Sequence, residues 1–214
     1  MNNQIIKGGR EIGKTTHLFQ LAQQSIENGL NVIILDSATE HEDKSLLRKV
    51  AKQFPQATVI DNRDESTVAT YEELNKGLII FEFPYLQIKN NQSNIIAFDL
   101  SYFLERGHEV FDETHDQAQY DYYRNLYRRQ SQQILLTLIA LNKVGKLPNT
   151  IVLTDEIEFP IVEFDPTLFQ EDLTIISSVH PENGFGTFYQ NCVEHEFTPY
   201  KQGGNAHVFK SEWA

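Results

Sequence analysis

The sequence predicts an α/β fold: a mostly parallel sheet flanked by helices, with a β-hairpin at the C-terminal end. Short continuous apolar runs, which are typical of parallel strands buried on both faces, alternate with longer stretches whose apolar residues recur at helical spacing. The chain has 214 residues, of which 40% are hydrophobic and 22% are charged. This length and composition suit one globular domain over residues 1–214.

The first unit is predicted to be a strand, a helix and a second strand. Residues 4–6 are a short apolar strand. In residues 16–28 the apolar side chains are spaced to form one buried helix face, and Gly29 ends that helix. Residues 31–36 form a buried strand that ends in the carboxylate of Asp36.

The rest of the chain continues the alternation of strands and helices. Further helices are predicted at residues 45–54, 67–75 and 119–143. Further strands are predicted at residues 57–61, 77–84, 94–100, 150–156 and 173–180. The hairpin joins residues 194–198 to residues 206–210 through Gly203 and Gly204. The charged stretch 103–118 has no clear pattern, and we expect it to be mobile.

Charge and cysteine content limit the functional classes. The net charge is −12, which argues against a protein that coats nucleic acid non-specifically, because such domains are usually basic. The single Cys192 excludes an internal disulfide and a cysteine-rich zinc site, and the histidines show no metal-ligand spacing. Neither a long apolar run nor a basic-then-apolar leader is present. We therefore expect a cytoplasmic protein with no membrane span.

Residues 8–15 match the pattern G-x-x-x-x-G-K-[ST], the phosphate loop of nucleotide-binding proteins. Its glycines let backbone N–H groups curl around a phosphate, and the helix that follows favours the anion. In this pattern Lys14 reaches the β- and γ-phosphates and the Thr15 hydroxyl ligates Mg²⁺. The alternative is a Gly-Gly turn before a helix. The predicted nucleotide-binding residues are Gly8, Gly9, Arg10, Glu11, Ile12, Gly13, Lys14, Thr15 and Thr16.

The strand at residues 150–156 ends in two acids, Asp155 and Glu156. Hydrolysis of a nucleotide needs a second carboxylate near the metal and a group that activates water. We expect Asp155 to hold Mg²⁺ together with Thr15, and Glu156 to act as the general base. The alternative is a solvated strand end.

The next strand along the chain ends near Ser178 and His180. Ligands of parallel sheets bind beyond the carboxyl ends of the strands, so both side chains are candidates for contact with the γ-phosphate. The alternative for His180 is a cap on the strand before Pro181.

A basic cluster at the start of the long helix contains Arg124, Arg128 and Arg129, interleaved with tyrosines. One interpretation is an arginine finger, Arg128 or Arg129, offered to a neighbouring subunit. A second is a stacking surface for nucleic acid. The third is a solvated helix face.

The order of these features resembles the FtsK–HerA superfamily of P-loop ATPases, which pump DNA. The resemblance lies in residues 8–16, in the strand 95–101 ending Asp-Leu-Ser, in the strand ending Asp155-Glu156, and in residues 175–181. It implies a RecA-like P-loop core, ATP and Mg²⁺ as cofactors, a DNA substrate and a homo-oligomer, usually a hexameric ring. Aligned on Pro181, the sensor glutamine of the family falls on Val179, so Ser178 or His180 would have to substitute for it.

The leading hypothesis is a Mg²⁺-dependent ATPase that translocates or packages nucleic acid as an oligomeric motor. A nucleoside-kinase-like phosphotransferase is a second hypothesis, since residues 155–159 also match the Asp-Glu-x-x-Phe element of thymidine kinases. A nucleotide-gated switch or adaptor that binds a protein partner is the third, and the acidic surface favours it.

Overall fold

The computed structural model describes residues 4–7, 13–37, 50–52, 54–61, 93–155, 157, 173–179, 193–202 and 206–211. The described helices are α1 (Lys14–Glu27), α2 (Tyr102–Thr114) and α3 (Gln117–Lys143). The described strands are β1 (Gln4–Lys7), β2 (Asn31–Asp36), β3 (Thr58–Asp61), β4 (Ile95–Asp99), β5 (Thr150–Asp155), β6 (Thr174–Val179), β7 (Val193–Gln202) and β8 (Ala206–Ser211).

The described strands form one sheet in the order β3-β4-β2-β5-β6-β1-β7-β8. Strands β3, β4, β2, β5 and β6 are all parallel, and β1 and β7 continue the parallel pairing. Strand β8 pairs antiparallel with β7. The predicted α/β fold with a mostly parallel sheet is therefore confirmed. Residues 203–205 lie outside the described part of the chain, so the Gly203-Gly204 turn stays a prediction.

Helices cover both faces of the sheet, and alternate residues of each strand enter a different core. On one face Ile151 and Leu153 of β5 belong to the core that contains Leu18 and Ala22 of α1. On the other face Val152 of β5 belongs to the core that contains α2 and α3. This alternation follows from the two-residue side-chain period of a strand, and it explains why the parallel strands are continuous apolar runs.

Most of the charged stretch 103–118 is helical, a conformation that the sequence did not predict there, and its mobility stays a prediction. It contains most of α2 and the first two residues of α3. The two helices pack against each other, and they approach closely at Gly107, where an added Cβ would lie 3.2 Å from the Cβ of Tyr123. Phe103, Gly107 and Val110 form the buried side of α2. The glycine therefore serves the packing of α2 on α3.

Several predicted elements fall wholly or partly outside the described residues. These are the helix at 67–75, the strand at 77–84 and most of the helix at 45–54, of which residues 50–52 are helical. Cys192 lies outside them as well. Among the helices that the structure does describe, none combines the length and apolar character required to cross a membrane.

Helix α3 buries an amide that has no hydrogen-bond partner among the described residues. Gln130 is fully buried, and both its Nε2 and its Oε1 are unpaired. A buried polar group without a partner destabilises a fold by the cost of removing it from water, about 1–3 kcal/mol. The surrounding α3 residues Leu126, Tyr127 and Ile134 are equally buried.

We predict that Gln130→Met raises the free energy of unfolding by about 1–3 kcal/mol, because methionine fills a similar volume without an unpaired amide. Urea denaturation followed by circular dichroism measures the change. Gln24→Met, at an exposed position of α1, is the control and should change stability by less than about 0.5 kcal/mol. A destabilised Gln130→Met would mean that the amide has a partner in solution.

Helix α3 begins at an aspartate cap. The carboxylate of Asp116 accepts hydrogen bonds from the backbone N–H of Ala118 and of Gln119. It also accepts one from the side-chain Nε2 of Gln119 at 2.9 Å. These bonds favour the charged form, so they hold the pKa of Asp116 below its ordinary value, with the Gln119 side chain as the largest cause.

We predict that Gln119→Ala moves the pKa of Asp116 upward, measured by NMR titration of the aspartate. Gln117→Ala is the control, because the Gln117 amide bonds Asp121 instead, and it should leave the pKa of Asp116 in place. Since folding lowers this pKa, the cap stabilises the fold at pH above the unfolded value, near 4, and that contribution is lost as the pH falls through the lower folded value. An identical shift of the Asp116 pKa in both variants would contradict the conclusion that the Gln119 side chain is the main cause of the lowered pKa.

Candidate functional site

Polar side chains lie side by side on four neighbouring strands, at the carboxyl end of the sheet. Asp36 of β2 is paired in register with Asp99 of β4 on one side and with Asp155 of β5 on the other. Asp155 is in turn paired with Ser178 of β6. Residues paired in this way on parallel strands point to the same face, so the four side chains lie in a row on one face of the sheet.

That face is the one covered by α1. The apolar residues two positions earlier in the same strands, Ile34, Leu153 and Ile176, share a core with Leu18 of α1. Because side chains alternate along a strand, Asp36, Asp155 and Ser178 must face the same side.

Helix α1 begins at the same end of the sheet. It starts at Lys14, directly after Gly13, whose backbone is left-handed with φ at 93°. The Lys14 side chain is 4% exposed and Thr15 is half-buried. No residue of the first turn of α1 is itself acidic, and the positive end of a helix dipole favours an anion.

Asp155 joins α1 to the sheet. Its Oδ2 accepts a hydrogen bond of 2.7 Å from the Thr15 hydroxyl. Its Oδ1 accepts one from the Ser178 hydroxyl. Asp155 is only 5% exposed, and each of its carboxylate oxygens has a hydroxyl donor in place of water. We name Thr15, Asp155 and Ser178 the hydroxyl–carboxylate cluster.

The cluster can bind a hard cation on chemical grounds. Magnesium prefers oxygen ligands, and it is commonly held by one or two protein oxygens together with phosphate and water. Thr15 donates its only proton to Asp155, so the lone pairs of its hydroxyl are left to accept. Among the described residues, no group of three or more His, Cys, Asp and Glu side chains is placed to hold a metal ion.

The predicted site residues fall into three groups. Gly13, Lys14, Thr15 and Thr16 lie at the start of α1, while Asp155 and Ser178 lie at the ends of their strands. Arg128 and Arg129 lie on α3, which packs on the opposite face of the sheet from α1. Outside the described residues are Gly8, Gly9, Arg10, Glu11, Ile12, Glu156 and His180.

Sequence reasoning did not assign a site role to three nearby residues. Asp36 is fully buried and Asp99 half-buried in the polar row, and the backbone N–H of Ser101 donates to Asp99. Ser37, also buried, donates a long hydrogen bond of 3.5 Å to the backbone oxygen of Asp155. The available signal was that several predicted parallel strands end in aspartate, which places those residues at one end of the sheet.

A cleft of about 580 Å³ lies at the opposite, amino end of the strands. It is lined by Leu30, Lys143, Pro148 and Thr174, among others. Parallel sheets bind ligands at the carboxyl ends of their strands, and the cleft contains no member of the hydroxyl–carboxylate cluster. We therefore place the candidate site at the cluster and not in this cleft.

No protein-family model matches the chain, and a search of curated proteins also finds no match.

Proposed function

We propose that the chain is a Mg²⁺-dependent ATPase with a RecA-like P-loop core. The observation that supports this most strongly is the hydrogen bond of 2.7 Å between Thr15 and Asp155. Two separate sequence motifs predicted these residues as ligands of one metal ion, and 140 positions separate them in the chain. A Gly-Gly turn and a solvated strand end, the two alternatives, do not require them to meet.

The strand order agrees with such a core. Strand β1, which leads into the phosphate-loop motif, pairs with β6, and β6 pairs with β5. The carboxyl end of β1 and Asp155 therefore lie at the same end of the sheet, which is where parallel α/β sheets bind their ligands.

Lys14 supplies the positive charge for the phosphates. It begins α1, and its side chain is almost fully buried. A cation in a site shielded from water interacts with an anion more strongly than an exposed lysine does. The backbone N–H groups at the start of α1 add the positive end of the helix dipole.

Thr15 and Asp155 would hold Mg²⁺, which neutralises charge on the phosphates when it is bound. In the proposed reaction a water oxygen bonds to the γ-phosphorus, and the bond from that phosphorus to the β–γ bridging oxygen breaks. Glu156, which directly follows Asp155 in the chain, takes the proton of the water as general base. ADP and inorganic phosphate leave.

We predict that Lys14→Ala weakens the binding of a fluorescent ATP analogue about 10- to 100-fold, because it removes a charged hydrogen bond to phosphate. Glu156→Gln should keep binding within a few-fold and lower the rate of phosphate release about 10²- to 10⁴-fold. Lys146→Ala, at an exposed position by the amino end of the sheet, is the matched control and should change neither quantity.

Full hydrolysis by Glu156→Gln would remove that residue from the mechanism. Phosphate release in the absence of any added acceptor separates a hydrolase from a phosphotransferase, which requires one.

Beyond ATP hydrolysis, we propose more specifically that the chain translocates nucleic acid as a homo-oligomer. This proposal rests on the resemblance to DNA-pumping ATPases and on the basic and aromatic side chains of α3. Tyr122 and Arg129 are exposed there, and exposed aromatic and arginine side chains stack on bases and contact phosphates.

We predict that single- or double-stranded DNA raises the ATPase rate several-fold and that Arg129→Ala abolishes this increase while leaving nucleotide binding unchanged. Mass photometry with a non-hydrolysable ATP analogue should show an assembly larger than the monomer. Lys143→Ala, which removes an exposed cation in the last turn of α3, is the control. A rate that DNA does not change would favour the nucleotide-gated switch.

A further inference from the structure

The hydroxyl of Ser178 is engaged with the Asp155 carboxylate. The residue is fully buried, and its hydroxyl donates to Oδ1 of Asp155. A serine hydroxyl carries one proton, and phosphate oxygens are acceptors that require a donor. While Ser178 donates to Asp155, it has no proton to offer a γ-phosphate.

We propose that Ser178 is a positioning residue for the magnesium site: it holds the Asp155 carboxylate in the orientation in which Thr15 and Asp155 bind Mg²⁺. This inference rests on the proposed function. It differs from the expectation in our sequence analysis, in which Ser178 contacts the γ-phosphate itself.

The carboxylate is held from two sides. The Thr15 hydroxyl, on α1, donates to Oδ2 of Asp155, and the Ser178 hydroxyl, on β6, donates to Oδ1. Two donors on different elements restrict rotation of the carboxylate about the Cβ–Cγ bond. Residues that orient the ligands of a metal typically change its affinity 10- to 100-fold when they are lost.

The chain contains a matched control at the neighbouring position. Ser177 is also buried and also makes a cross-strand hydrogen bond, accepting at 2.8 Å from the Thr154 hydroxyl. Thr154 and Ser177 are paired in register on the face opposite to Asp155 and Ser178. Loss of either serine hydroxyl thus removes one buried bond between β5 and β6, but only Ser178 contacts a predicted metal ligand.

The experiment measures binding of a non-hydrolysable fluorescent ATP analogue, and of the matching ADP analogue, as Mg²⁺ is titrated and in the presence of EDTA. In Ser178→Ala we expect the half-saturating Mg²⁺ concentration to rise about 10-fold or more for both nucleotides, with affinity in EDTA unchanged. In Ser177→Ala we expect a change below about 2-fold. Ser178→Thr, which keeps the hydroxyl, should restore the wild-type value.

Thermal unfolding of the two alanine variants checks that both are folded. Should Ser178→Ala not fold, Ser178→Cys retains the volume with a weaker donor and should also raise the Mg²⁺ requirement. Equal Mg²⁺ requirements in the Ser177 and Ser178 variants would overturn the inference. So would a loss of affinity confined to the ATP analogue and present in EDTA, which would identify a γ-phosphate contact. If the wild-type chain binds neither nucleotide, the proposed function fails and the inference fails with it.

Discussion

The hydrogen bond between Thr15 and Asp155 can form only if the start of α1 and the end of β5 meet at the same end of the sheet. The parallel register of the central strands provides this, because it sets Asp36, Asp155 and Ser178 at one level. Side chains alternate along a strand, so a slip of β6 by a single residue would turn Ser178 to the opposite face. The hydroxyl–carboxylate cluster therefore depends on the register of β5 and β6, which the cores on both faces determine.

The polar residues at this end of the sheet are costly to bury. Lys14 is 4% exposed, Asp155 is 5% exposed and Asp36 is fully buried. A buried charge destabilises a fold unless it is paired or hydrogen-bonded, and apolar residues of similar size are often more stable in such positions. In β2 and β5, the residues two positions before Asp36 and Asp155 are the apolar Ile34 and Leu153. Proteins keep such exceptions mainly where a site requires them, which agrees with a nucleotide at the first turn of α1.

The sequence predicted the local elements better than their arrangement. The apolar run at residues 31–36 coincides with the observed strand β2, because burial on both faces leaves a clear signal. Helix α2 was missed because charges obscure its pattern and its buried face centres on Gly107, a residue that ordinarily argues against a helix. The two sequence motifs predicted that Thr15 and Asp155 lie close together, and a hydrogen bond joins them in the structure. The bond from Ser178 to Asp155 could not be predicted, because it requires knowing that β6 lies beside β5 and in which register.

Two consecutive serine hydroxyls of β6 make hydrogen bonds to β5 on opposite faces of the sheet. Ser178 bonds Asp155 on the face of α1, and Ser177 bonds Thr154 on the face of α2 and α3. A bond of 2.8 Å tolerates little displacement before it weakens. Any shift of β6 against β5 would therefore disturb both faces at once. The Asp155 carboxylate and the core under α3 are in this way linked by two adjacent residues of one strand.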